Sequence, residues 1–180
     1  MSERDFVPLS IAVLTVSDTR TIADDRSGDT LVERLETAGH RLAERRIVSD
    51  EVDSIRQTVL GWAKDPAIDV VITTGGTGFT GRDVTPEALE PIFDKRMDGF
   101  SAIFHRVSFD KIGVSTIQSR ATAGVVDATF VFALPGSPGA CRDGWDHILK
   151  AQLDYRHRLC NFVEIMPRLD EHLRRGGRSA

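Results

Sequence analysis

The chain has 180 residues, 41% hydrophobic and 28% charged, with 23 basic against 27 acidic side chains and a formal net charge of −4. That length predicts one domain, with a tail at most, burying roughly 70% of its unfolded surface without a staple; residues 1–8 read as a loose segment and 166–180 as a tail. Two cysteines, Cys141 and Cys160, exclude a disulfide framework and a four-cysteine zinc site, and the acidic balance argues against a nucleic-acid binder.

Residues 11–16 form a short apolar run that reads as a strand buried on both faces, ending in Ser17 and Asp18. The polar stretch 19–28 reads as a loop. Leu31, Val32, Leu35 and Ala38 then recur at helical spacing over 29–38, where Gly39 stops the helix. Residues 42–48 read as a charged strand nearer an edge. Ser49 and Asp50 precede a helix whose one face is Val52, Ile55, Val59, Trp62 and Ala63. Residues 69–74 are the clearest buried strand and run into Gly75, Gly76, Thr77 and Gly78. Helices follow over 85–94, with Pro86 at a tolerated early position, and over 100–109. Residues 113–124 show no clear period. A strand over 129–134 ends in Pro135, Gly136, Ser137, Pro138 and Gly139, before a helix over 140–153 and irregular chain beyond Tyr155. This alternation predicts an α/β fold: three layers, doubly wound, a mostly parallel sheet with helices on both faces. Its longest early apolar run, 9–16, is too short to span a membrane and too weakly flanked for a signal peptide, so the expected location is cytoplasmic with no membrane partner.

In such folds ligands bind outside the carboxyl ends of the strands. Three strand ends carry chemistry there: Ser17 and Asp18; the glycine run 75–78 continuing to Gly81, Arg82 and Asp83; and the turn 135–139. Closely spaced glycines let backbone N–H groups approach an anion, and taken alone they fit equally a tight strand-to-helix turn with no ligand. Asp83 beside such a cradle repels phosphate unless a cation lies between, the office of Mg²⁺; taken alone, Asp83 reads first as an N-cap before Thr85, Pro86 and Glu87. Asp50 likewise fits a cap of the helix it precedes. No GxxxxGK[ST], GxGxxG, GxSxG, HExxH or HxH pattern is present, which excludes the P-loop and weakens dinucleotide-oxidoreductase, serine-hydrolase and zinc readings. His40, His105, His147 and His157 read as surface or interface groups.

The run from Thr73 to Leu89, TTGGTGFTGRDVTPEAL, resembles the signature of the MoaB/MogA family of molybdenum cofactor biosynthesis proteins, to which the gephyrin G domain is similar. Leu14-Thr-Val-Ser-Asp18, Asp25-Arg-Ser-Gly28, Val48-Ser-Asp-Glu51 and Leu134-Pro-Gly-Ser-Pro138 agree with it, and Ser119-Arg120-Ala121, Gly124 and Cys141 look closest to the MoaB branch. Leu89 departs from the threonine of many catalytic relatives. The resemblance covers residues 9–165 and implies the MogA-like fold and Mg-ATP-dependent adenylylation of molybdopterin, giving adenylyl-molybdopterin and pyrophosphate. It implies Asp50 and Asp83 as catalytic Mg²⁺ ligands. Gly75, Gly76, Thr77, Gly78, Arg82, Ser17, Asp18, Pro135, Gly136, Ser137 and Gly139 would lie against ATP, and Ser119 and Arg120 against molybdopterin. It further implies a homotrimer or homohexamer and a MoeA-type partner for molybdate insertion. The alternative is a non-catalytic molybdopterin-binding scaffold of the same pathway, which has no need of an aspartate pair. Phe93, Phe100, Phe104 and Phe109 suit either core or subunit interface.

Overall fold

A computed structural model describes residues 4–171. Strands β1 (Ser10–Val16), β2 (Arg41–Val48), β3 (Val70–Thr74), β4 (Lys95–Arg96), β5 (Thr122–Val126) and β6 (Thr129–Leu134) form one sheet in the order β2-β1-β3-β6-β5-β4. The first four in that order are parallel, whereas β5 runs antiparallel to both β6 and β4. Successive side chains alternate faces, so one strand feeds two cores. Ile11 and Val13 of β1, Ile72 of β3, and Phe130 and Phe132 of β6 pack toward α1 (Arg26–Thr37), α4 (Asp98–Ile112) and α5 (Pro138–Gly144). Ala12, Leu14, Val71 and Val131 face α2 (Val52–Ala63) and α3 (Thr85–Leu89). The expected three-layer architecture is present, and β2 is the partly exposed edge that its charge implied.

Several boundaries differ from expectation for identifiable reasons. Helix α1 begins at Arg26 because the Asp25 carboxylate caps it, accepting from the Gly28 N–H at 3.0 Å. The helix expected over 85–94 ends at Leu89 and closes in a 3-10 turn, Glu90–Ile92, after which the chain pairs as β4. Strand β5 falls partly in the stretch that showed no period. Its hairpin to β6 turns at Asp127 (φ 46°) and Ala128 (φ 63°), left-handed residues without the glycine that advertises such a turn. The helix after β6 contains a π turn, Trp145–Leu149, before α6 (Lys150–Gln152).

The two flanking segments also differ. In the segment expected to be loose, Phe6 packs on His40, their ring centroids 5.1 Å apart. His40 itself is 5% exposed, its Nδ1 accepting from the Leu9 N–H at 3.1 Å, so it is a core group rather than a surface one. Helix α7 (Phe162–Ile165) covers β6 through Phe162, and Met166 and Leu169, placed by sequence in the tail, pack against the same core. The tail beyond Glu171 lies outside the described residues.

Candidate active site

The register of the parallel strands aligns Thr15, Thr74 and Leu134, so the loops that follow β1, β3 and β6 leave the sheet side by side. The Gly75 N–H donates to Leu134 O at 3.0 Å. Gly75 has φ +105°, and a Cβ there would lie 2.3 Å from Val16 O, so only glycine lets these backbones meet. Gly136 also comes close to Gly75, its would-be Cβ 3.0 Å from the Gly75 Cα. Thr85 at the head of α3 locks the turn: its hydroxyl donates to Gly75 O at 2.8 Å and its N–H to Gly76 O at 2.9 Å.

Three aspartates stand around this turn. Asp18 and Asp50 are clasped reciprocally: the Asp18 N–H donates to Asp50 Oδ2 at 2.9 Å, and the Asp50 N–H to Asp18 Oδ1 at 3.1 Å. Neither Asp50 nor Asp83 caps a helix. The N-cap positions of α2 and α3 are Glu51 and Val84, and neither makes a side-chain cap. Asp83 instead accepts from the Thr80 N–H at 2.8 Å and hydroxyl at 2.6 Å. Burial raises the Asp50 carboxyl above the ordinary carboxylate range, and the like charges of Asp18 and Asp83 add to it. Burial also penalises charged Asp83, but the Thr80 hydrogen bonds outweigh it and hold its carboxyl low. The Arg82 guanidinium, then the Asp50 N–H, hold Asp18 low.

The arginines assigned to ligands are committed within the protein. Arg82 grips Asp18 through Nε and Nη2, both at 2.9 Å, and Glu51 through Nη1 at 2.8 Å, so it organises carboxylates instead of presenting a free fork to phosphate. Arg120 donates through Nε to Gly78 O at 2.8 Å and through Nη2 to Asp83 O at 2.9 Å, and it pairs with Glu87. The Ser119 hydroxyl is buried with no hydrogen-bond partner among the described residues, in the wall of a 430 Å³ cavity that Arg120, Glu87, Ser101 and His105 also line. Ser137 caps α5, its Oγ accepting from the Ala140 N–H at 3.2 Å, and Pro135 O takes the Thr74 hydroxyl at 2.9 Å. Gly139 is the second residue of α5, within its first turn.

Among the described residues no group of three or more His, Cys, Asp or Glu could hold a metal by itself. The oxygen chemistry of the Asp50–Asp83 pair nevertheless suits Mg²⁺, which takes one or two carboxylates and completes its shell with water and phosphate oxygens. The carboxyl of Asp50, partly buried beside two other acids, is the observation that fits such a cation.

Sequence reasoning did not assign several residues the structure places here. Asp25 is fully buried beneath the rim, accepting from the Thr15 hydroxyl at 2.6 Å and from Arg45 Nη2 at 2.9 Å. Arg20 ties the first loop to the third through Gly136 O at 2.8 Å. Asp25 lies in one of the motif stretches, but nothing local distinguishes a buried acid from a loop acid. Phe79, on the glycine loop, is 71% exposed beneath the Arg120 guanidinium, 5.2 Å from its ring centroid.

Comparison with known proteins identifies the lineage. The family profile described as "Probable molybdopterin binding domain" matches residues 12–155. Molybdenum cofactor biosynthesis protein B of Escherichia coli K12 is 47% identical over 158 residues, 88% of this chain and 93% of its own. The Bacillus subtilis protein of the same name is 45% identical over 142 residues, 78% of this chain and 84% of its own. Among solved structures, a molybdenum cofactor biosynthesis protein B superposes with a TM-score of 0.82 at 36% identity, covering 95% of this chain and 99% of that one. A Pyrococcus furiosus MoaB, described as tungsten cofactor synthesizing, gives 0.71 at 34% identity over 79% of this chain and 91% of its own. The profile match over residues 12–155, described as a probable molybdopterin binding domain, and the relative 47% identical over 88% of the chain make this chain a member of the MoaB/MogA family of molybdenum cofactor biosynthesis proteins.

Proposed function

We propose that the protein acts in molybdenum cofactor biosynthesis by transferring the adenylyl group of ATP to the terminal phosphate of molybdopterin. A phosphate oxygen of molybdopterin attacks the α-phosphorus, the bond from that phosphorus to the bridging oxygen breaks, and pyrophosphate leaves. The nucleophile is already anionic, so no serine, cysteine or histidine is required. The protein's task is alignment and neutralisation of charge. Mg²⁺, held by Asp50 and Asp83, would neutralise phosphate charge as the pyrophosphate departs. The turn 75–78 would receive the nucleotide phosphates on its backbone. The buried Ser119 hydroxyl and the neighbouring cavity would receive molybdopterin.

The observation that carries this reading is the orientation of Asp50 and Asp83. Each was available as a helix cap, and each is instead turned to the rim, beside the glycine backbone. The names of the relatives support the pathway. The reading includes a homotrimer or homohexamer, delivery of the product to a MoeA-type molybdate-insertion partner, and a cytoplasmic setting. Among the described residues no helix is long and apolar enough to cross a membrane.

The test is a transfer assay with molybdopterin, ATP and Mg²⁺, following adenylyl-molybdopterin. Asp83→Asn keeps an oxygen for Thr80 but removes the charge, and is expected to lower the rate on the order of 10²–10³-fold. Folded wild-type protein that binds molybdopterin yet forms no product would instead establish the scaffold reading.

A further inference from the structure

We propose that His105 is a positioning residue that sets the peptide plane joining Ser119 to Arg120, and thereby where both side chains stand. The proposal deepens the functional reading and rests on it for the identity of the ligand.

His105 lies in the middle of α4, with its ring in the wall of the cavity. Its Nε2 is 2.9 Å from Ser119 O, and its Nδ1 is 2.7 Å from Ser101 O and 3.4 Å from Ser101 Oγ. Carbonyl oxygens only accept, and a neutral imidazole carries one N–H. Both nitrogens face a carbonyl and the neutral ring can donate to only one: the bond that crosses from helix to loop requires the proton on Nε2, and with it the 2.7 Å contact of Nδ1 with Ser101 O must open so that the Ser101 hydroxyl donates to Nδ1. The other end of the same peptide unit is gripped from the opposite side, because the Arg120 N–H donates to Thr77 O at 2.9 Å. One peptide plane is therefore held at its carbonyl by α4 and at its amide by the glycine turn.

That plane is the point at which this stretch of chain is tied to both α4 and the glycine turn. The preceding 3-10 turn, Gly113–Gln118, carries Val114 and Ile117 outward, each 72% exposed. Rotation of the plane would swing the Ser119 hydroxyl from its buried position. It would also pull the Arg120 fork off Gly78 O and Asp83 O. His105 touches neither the glycine turn nor the aspartates, so it acts only through this peptide.

Three measurements test the proposal. A ¹⁵N spectrum of the wild-type histidines is expected to place the His105 proton on Nε2, and a proton on Nδ1 would overturn it. In His105→Ala, amide exchange at Arg120 is expected to rise about tenfold while the β1 and β3 amides keep their protection, and His105→Gln, which retains a donor near Nε2, is expected to restore it. Unchanged Arg120 exchange in folded His105→Ala would overturn the proposal. Molybdopterin affinity is expected to follow the same order, about tenfold weaker in His105→Ala and recovered in His105→Gln. Exchange that rises in a protein whose wild type binds no molybdopterin would uphold the peptide's anchor and sink the ligand assignment instead.

Discussion

Asp50 carries a cost that its candidate role explains. Its folded-state carboxyl is raised, by burial first and by Asp18 next. A raised acid favours the fold below its ordinary value, and that advantage is lost as pH rises through the raised value. At neutral pH and without a cation, charged Asp50 is therefore a burden. Asp50→Asn, which keeps an acceptor for the Asp18 N–H, is expected to stabilise the cation-free protein at pH 7 by about 0.5 kcal/mol. The gain should vanish in acid, below the ordinary carboxylate range. Thermal melts at the two pH values check this, and a lower midpoint for the variant at pH 7 contradicts it. Asp83 was legible in sequence because it follows glycines that need an explanation. The commitment of Arg82 was not, since Asp18 and Glu51 reach it from loops 64 and 31 positions away.

At the scale of elements, Asp25 joins three pieces of structure that sequence reading kept apart. Its carboxylate accepts from Thr15 in β1, from the first turn of α1 and from Arg45 in β2. Burial works against its charge, but these donors hold the carboxyl below the ordinary range. Asp25→Ala would leave Arg45 partly buried without this partner, and is expected to cost about 3–5 kcal/mol in chemical unfolding. A loss under 1 kcal/mol would show that Asp29, which also pairs with Arg45, suffices. The sign of its pH dependence is opposite to that of Asp50: the stabilisation is present above the ordinary carboxylate value and is lost as pH falls through the lowered one. Strands β1, β3 and β6 announced themselves because burial on both faces demands continuous apolar residues. Strand β5, with Gly124 against the Phe93 ring and a hairpin turn without glycine, offered no such pattern.

Across the whole molecule, Phe100 and Phe104 are core residues, whereas Phe109, Ile103, Ile112, Val114 and Ile117 leave an apolar surface along α4 and the turn after it. Scattered apolar side chains are ordinary, but this run along one helix and its following turn supports the proposed self-association. Sedimentation is expected to give a multiple of three chains of 19.9 kDa, and Ile117→Asp to shift the protein toward one. A wild-type monomer would remove the oligomer from the functional reading. By itself the sequence determined the layer order, the buried strands and the glycine–aspartate rim, because hydrophobic period and backbone freedom are properties of neighbouring residues. Only the tertiary structure decided which charges face one another: that Asp50 and Asp83 decline their helix caps, that Arg82 and Arg120 are spent within the rim, and that His105 holds a peptide fourteen residues away. Those choices depend on distances between loops that the sheet register sets, and no local pattern encodes them.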